Sequence, residues 1–548
     1  MIFTKTTRVI FFIYVILLIG FKNCNTYAYQ NDKQEITEQV EKKLLQDFVY
    51  SDDSVNQQAW QILQYTAYLD QDFISIEIIK ELFLQKNEPV SQAIKKLESV
   101  SLISVITDQK GNQGLRIRQK LQNLIRISMK NDPEHSLKQE KIIGDLLSVL
   151  NKLLPELTYN QNAKGEIASK LQPQVEKLLK IETEEVTKKD EFIIANLYYK
   201  LAMYYQRVSI NYKKALEYAK ISLQIRRKLY TGDNPDTANS ISTTGVIYLL
   251  SGNAKEGVKY LEEGLAIRKR LYKGNHPKIA DSLISISRAY RELGENKKCL
   301  EYAQMSLKMN KELYLGNHYE IADSLNMVGR AYLNSGEFKQ SLVYFKDSLQ
   351  MLKALYTGSN IRIAIVLDVL SYNYSKLGNY KEALKNAKVA LAMDEELYPN
   401  GHPHMIYDLH SYGIALIGLN KIDEGITALR QALDISEKFN MEKHFITGLV
   451  YCDLGIGYFR NKEYQKALKY AEKALNLKKE LYSNVGNHQE IVESLDSLGD
   501  IYLALDNKIK ALELYKQALE MSLALSLEHL PQTKEIQRKF KELNDQKA

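Results

Sequence analysis

The dipeptide Leu-Tyr stands at Leu229-Tyr230, Leu271-Tyr272, Leu313-Tyr314, Leu355-Tyr356, Leu397-Tyr398 and Leu481-Tyr482, spaced by 42 residues or by twice 42. A fixed period of this length constrains the fold more tightly than composition does, because equal units must bury their apolar faces against one another. Within the unit from Ala280 to Ile321, Leu283, Ile286, Ala289 and Tyr290 recur at three- and four-residue steps. Leu300, Ala303 and Leu307 do so again after Gly294-Glu295-Asn296. This is the pattern of two amphipathic helices joined by a tight turn. Propeller blades share a period of this size, but their strands need an alternation of period two, and none is present.

The units also share a pattern of small and large residues. Counted from Ala322, positions 4, 7, 8, 11, 15, 20, 27 and 28 are Leu325, Val328, Gly329, Tyr332, Gly336, Ser341, Ser348 and Leu349. Counted from Ala364 they are Leu367, Leu370, Ser371, Tyr374, Gly378, Ala383, Ala390 and Leu391. The unit from Gly448 keeps Tyr451, Leu454, Gly455, Tyr458, Ala467, Ala474 and Leu475. Small residues where two helices cross, and large ones where they interlock, resemble the tetratricopeptide repeat. The period of that repeat is usually about 34, and the surplus here lengthens the second helix by about two turns. This long form is similar to the repeats of kinesin light chains and of the sensor arms of STAND-type signalling ATPases. The resemblance runs from Ala195 to about Leu525. It implies an all-α fold, a right-handed α-solenoid of eight hairpins over residues 191–525, closed by a capping helix over 526–548.

The start of the chain differs. Lys5 and Arg8 precede the apolar run Val9 to Phe21, and Thr26-Tyr27-Ala28 follows. A positive flank, a short apolar core and a small-residue end predict a secretory signal over residues 1–28, cleaved near Ala28. The alternative is an uncleaved membrane anchor, for which the run is short of the roughly 20 apolar residues of a spanning helix. Loss of Lys5, Arg8 and Lys22 lowers the formal charge from +7 to +4, too mild a surplus to imply nucleic acid. A polar, charge-mixed and partly helical spacer is expected over 29–56.

From Ala59 to Lys130 two or three helices, a strand, the turn Lys110 to Gly114 and a second strand outline a winged-helix-like domain over 57–131. It resembles the segment that precedes the repeat arm in STAND-type proteins, and residues 132–190 would form a helical connector. The ATPase of such proteins would need G-x-x-x-x-G-K-[ST], which does not occur. Arg116, Arg118, Lys120, Arg126 and Lys130 surround the expected wing and would be the phosphate contacts of a DNA-binding reading. An exported protein would not meet a genome, and nucleic acid is not expected as a partner.

No enzymatic arrangement stands out, and no cofactor or metal is expected. His276, His318, His402 and His488 fall in the turn between units and are read as turn residues. His402-Pro403-His404, read as two ligands without Cys or acidic partners, is a weak zinc signal. Cys299 takes a helix-crossing position and is read as packing, whereas Cys452 is either packing or an exposed thiol.

In tetratricopeptide proteins the concave face, lined by first helices, binds partners. The resemblance places Asp281, Arg288, Arg291, Asp323, Asn326, Met327, Arg330, Asp368, Tyr372 and His410 on such a groove. The Asn pair of kinesin light chains survives only as Asn326. The expected function is a non-enzymatic interaction scaffold for a protein or peptide. A membrane-tethered envelope assembly factor, with the N-terminal segment uncleaved, and a nucleic-acid-binding regulator are the other two readings.

Overall fold

The computed structural model describes residues 27–84, 90–157, 162–181, 188–483, 486–525, 527–528 and 530–545. Residues 1–26, which carry nearly all of the expected signal segment, lie outside them. The chain divides into two compact units, one of Met1–Ser209 with Gln224–Leu229 and one of Ile210–Leu223 with Tyr230–Ala548.

The first unit opens with α1 (Tyr27–Val49), α2 (Ser54–Thr66), β1 (Ile74–Ser75), α3 (Ile76–Phe83), α4 (Val90–Ser99), β2 (Ser104–Thr107), β3 (Gln113–Arg116) and α5 (Gln119–Asn131). The strands form an antiparallel sheet in the order β1-β3-β2, with Leu115 opposite both Ile74 and Val105. Asp108 shapes the hairpin by accepting from the amides of Lys110 at 2.9 Å and Asn112 at 2.8 Å, and Gly111 turns the chain at φ +83°. The Asn112 side chain adds further bonds and holds the Asp108 carboxyl well below the usual range.

Ile62, Leu63, Ile78, Leu97, Leu115 and Leu121 are buried in this unit. Buried Gln122 serves it as a polar tie, donating to the carbonyls of Thr66 at 2.7 Å and Leu69 at 2.8 Å. The region expected to be a partly helical spacer carries helix α1, whose Leu45 and Phe48 are buried. Two residues of the basic group are held by neighbours: Arg118 pairs with Glu41, and Arg126 donates to the Ala67 carbonyl. The connector region supplies α6 (Gln139–Leu153) and α7 (Asn162–Leu179), followed by α8 (Lys188–Arg207). From α7, Gln174 accepts from the Asp70 amide and donates to the Phe73 carbonyl, both at 2.7 Å. These bonds fix the helix to the β1 end of the sheet.

Helix α9 (Tyr212–Leu229) is shared between the two units. The second unit continues as seven helix pairs of nearly equal length: α10 (Pro235–Leu250) with α11 (Ala254–Leu271), α12 (Pro277–Glu292) with α13 (Asn296–Leu313), α14 (Tyr319–Asn334) with α15 (Phe338–Leu355), α16 (Ile361–Lys376) with α17 (Tyr380–Leu397), α18 (Met405–Gly418) with α19 (Ile422–Lys438), α20 (Phe445–Arg460) with α21 (Tyr464–Leu481), and α22 (Gln489–Ala504) with α23 (Lys508–Ala524). Each second helix packs on its own first helix and on the next one. That neighbour-to-neighbour pattern defines a solenoid.

The Leu-Tyr ruler has a physical cause. In three of the long turns the tyrosine ring stacks on the histidine that follows: Tyr272 on His276, Tyr314 on His318 and Tyr482 on His488, with centroids 3.6 to 3.7 Å apart. Held in this way, the imidazole Nδ1 caps the next helix, accepting from the amides of Lys278 at 3.1 Å, Glu320 at 3.2 Å and Glu490 at 3.3 Å. Asn234 and Asn360 do the same job elsewhere. Pro235 and Pro277 occupy the first helical position, where a missing amide costs nothing. Pro403 does not, since α18 starts at Met405.

Within pairs, Gly329 allows close approach: a Cβ there would lie 2.6 Å from the buried Phe345 ring. The short turns take positive φ at Gly252, Gly294, Gly336 and Gly378. Asn420, Lys462 and Asp506 keep the same conformation in the last three pairs despite their side chains. The unit ends on α24 (Pro531–Asp545), whose Lys539 bridges Asp496 at 2.9 Å and Asp500 at 2.8 Å. Distant pairs also meet. A Cβ on Gly294 would lie 3.9 Å from the His488 ring, and one on Gly336 would lie 3.1 Å from Leu530. Glu292 acts electrostatically on both His444 and His488.

Burial pushes the His444 imidazole down to about 4, with Glu292 opposing weakly. The unfolded chain takes up this proton near pH 6.5 while the folded chain resists it, so the stability contributed is intact above pH 6.5 and lost as pH falls towards 4. His444→Asn keeps a capping acceptor and removes the titration. In urea titrations, wild type should lose stability relative to this variant by up to about 1.4 kcal/mol per pH unit across that window. Equal slopes would place His444 in water.

Candidate functional site

The first helices α12 to α22 bring the expected groove residues together in two groups. The first is basic. Arg291 pairs with Glu292 at 2.6 Å, and Arg330 donates from Nε to the neutral Asn326 side chain at 3.2 Å. Burial, followed by the charge of Arg291, pushes the Arg330 guanidinium down to about 10, with Asp368 opposing. Arg288 is exposed and adds positive potential at Arg330. Tyr407, from α18, feels both Arg291 and Arg330. A cation this crowded, with only a neutral acceptor bonded to it, favours an incoming carboxylate or other anion.

The second group is mixed in charge. Tyr372 lies stacked beside His410, with ring centroids 6.2 Å apart, and the Lys376 ammonium stands 5.1 Å over the tyrosine ring. Burial pushes the Tyr372 phenol up to about 12. Lys376 is itself exposed to solvent, although Tyr372, Glu493 and Asp453 act strongly on it. Its ammonium thus stands in the field of groups from α16, α20 and α22. His410 is 3% exposed and bonded through Nε2 to Asp453 Oδ2 at 2.7 Å, which fixes its ring.

Other expected residues stand apart. Asp323 is bonded to Arg362, and Asp281 lies 3.8 Å from the Lys278 ammonium. Asp368 is buried and accepts from the Ser411 hydroxyl at 2.5 Å. Met327 is 3% exposed and packs with Ile284, Leu307, Leu325 and Val328, so it offers a ligand no surface. The cause is helix phase: position six of this unit turns to the neighbouring pair rather than to the groove.

Burial pushes the Cys299 thiol up, and the Cys452 thiol up to about 11. Neither is a reactive thiolate at neutral pH. Glu292 was not singled out from the sequence. Its role depends on distant pairs meeting, and the only local signal is its adjacency to Arg291.

The reading of His402-Pro403-His404 as lacking acidic partners is corrected by the structure. His404 Nδ1 lies 2.5 Å from Asp394 Oδ2 and 3.7 Å from Asp408 Oδ2. Asp394 ends a preceding helix and Asp408 opens the next, so the cluster exists only once α17 stacks on α18.

A tetratricopeptide repeat family model matches residues 193–270, 245–312, 286–354, 320–396 and 408–480, and a second one matches 492–524. The chain belongs to the tetratricopeptide repeat family. No curated protein matches it in sequence. Solved structures with fold similarity include a putative kinesin light chain of nearly identical TPR-like repeats from Podosopora anserina, at 19% identity and TM-score 0.32, covering 36% of this chain and 94% of that one. A Rap protein complexed with competence and sporulation factor matches at 16% identity and TM-score 0.48, covering 66% of this chain and 94% of that one. A STAND protein with a tetratricopeptide repeat sensor from Pyrococcus horikoshii matches at 14% identity and TM-score 0.38, covering 96% of this chain and 63% of that one.

A half-buried cation that bonds, among the described residues, to a neutral amide and to no carboxylate gains little for its lost hydration, so Arg330 and Met327 should respond differently to truncation. Arg330→Met should be as stable as wild type, or more stable by about 1 kcal/mol. Met327→Ala should cost about 2–5 kcal/mol. Chemical unfolding of both variants checks this, and a large loss in Arg330→Met would make the arginine a structural residue.

Proposed function

We propose that this chain is a non-enzymatic scaffold that holds a protein or peptide in the groove of its second unit, with Arg288, Arg291 and Arg330 gripping a carboxylate-bearing segment. The observation that carries this reading is the half-buried Arg330, crowded by like charge and bonded, among the described residues, only to a neutral amide. Forked hydrogen bonds from arginine to a carboxylate are strong and geometrically selective. Tyr372, Lys376 and Asp453 then line the way for a ligand of mixed charge, with buried His410 behind them holding Asp453, and arginine and tyrosine are common interface anchors.

The test is to compare partners captured by wild type and by an Arg288→Ala, Arg330→Ala double variant of equal helicity. The affinity of the main partner should fall by about 2 kcal/mol or more. An unchanged partner at unchanged affinity would move binding away from this groove.

We also propose export, on the strength of Lys5, Arg8 and the apolar run Val9 to Phe21. N-terminal sequencing of the protein from its native cell should begin near residue 29. A mature chain that begins at Met1 and fractionates with the cytosol would rule this out.

A further inference from the structure

Four successive seams between pairs bury two matched side chains, one from a second helix and one from the next first helix. Arg268 donates to Ser282 at 2.5 Å, Asn310 donates to Ser324 at 2.9 Å, and Leu352 and Val366 share one apolar cluster. At the α17/α18 seam the matched residues are Asp394 and Asp408, both 0% exposed. Two carboxylates so placed cannot both stay ionised without a compensating cation.

His404 stands against both, and one ligand atom from each of the three residues lies within 4.8 Å of the other two. Among the described residues, Asp394 Oδ1 and both carboxylate oxygens of Asp408 meet no hydrogen-bond donor. A fully buried carboxylate with neither oxygen bonded is costly to keep in a folded chain, and here it is aimed at an imidazole and a second carboxylate.

We propose that Asp394, His404 and Asp408 form a binding site for one divalent transition-metal ion that staples α17 to α18. Two carboxylates, a neutral imidazole and a doubly charged cation sum to zero, which suits a dry seam. Three protein ligands leave a fourth position for water, as in open tetrahedral zinc sites. The His404 side chain is 16% exposed and provides the route in.

Bonds of about 2.1 Å set tetrahedral ligands roughly 3.4 Å apart. The distances from His404 Nδ1 of 2.5 Å to Asp394 and 3.7 Å to Asp408 bracket that value, so small side-chain shifts close the site. His402 steadies the loop by accepting from the His404 amide at 3.1 Å. A mixed nitrogen and oxygen set of three suits Zn²⁺ and its neighbours, whereas Ca²⁺ prefers six to eight oxygens.

The test uses the full chain, freed of metal by chelator and titrated with Zn²⁺ in a calorimeter, beside an Asp394→Leu, Asp408→Val double variant. That variant copies the apolar match of Leu352 and Val366 one seam earlier, so the seam should still close. Wild type should take up one Zn²⁺ saturably and melt at a higher temperature with the ion. The variant, equally helical, should bind at least about a hundredfold more weakly. If the double variant loses helicity, Asp408→Asn, which keeps the shape and removes one charge, serves as the comparison. Saturable uptake of one ion that survives either substitution overturns the proposal. So does a folded wild type that takes up none, which would leave the carboxylates neutralised by protons instead.

Discussion

Everything in the second unit depends on the seam where the second helix of one pair meets the first helix of the next. No pair can bury its own apolar face, so stability is a sum over these seams. The packing is shared, but the buried polar column that runs through it changes at every step. Arginine meets serine, asparagine meets serine, leucine meets valine, aspartate meets aspartate, Ser436 meets Thr447 at 2.8 Å, and Lys478 meets the Glu490 carbonyl at 3.2 Å. A mismatched polar seam leaves a buried group unsatisfied, at a cost of about 1–3 kcal/mol. The column therefore sets the order of the pairs as well as their cohesion.

Order along the column decides what the groove displays. The first helices present one face to the seams and the opposite face to the concavity, so a fixed order of pairs fixes which groove residues are neighbours. In this way Arg291 and Arg330 come to crowd each other across one seam, and Tyr372 comes to lie beside His410 across another. Distant pairs also act on one another, as Glu292 does electrostatically on His444 and His488. The potential at Arg330 is thus a property of the stack and not of its own helix.

Local physics was legible in the sequence. The 42-residue ruler, the paired helices, the turn glycines and the turn histidines all follow from residues within one unit, and the structure adds that tyrosine stacking aims the histidine cap. What escaped the sequence reading depends on contacts between units. Met327 reads as a groove residue until the phase of its helix against the neighbouring pair is known. Helix α1 reads as a partly helical spacer, and the burial of its Leu45, Phe48 and Val49 appears only once its neighbours are in place. Asp394 and Asp408 sit on different helices, and nothing local says that they face one another. Aligning the seam positions as a column, in place of reading each helix for its own periodicity, would have shown two acids at one step.

The central claim is that the groove face of the first helices is where a partner is held. Hydrogen–deuterium exchange on the full chain, free and saturated with its captured partner, reads this directly, since amides under a bound segment are slowed. Slowing concentrated in α12, α14, α16 and α18, with the second helices α13, α15 and α17 unchanged, is the result the account predicts. Slowing confined to those second helices, or to the unit that carries the small sheet, would contradict it.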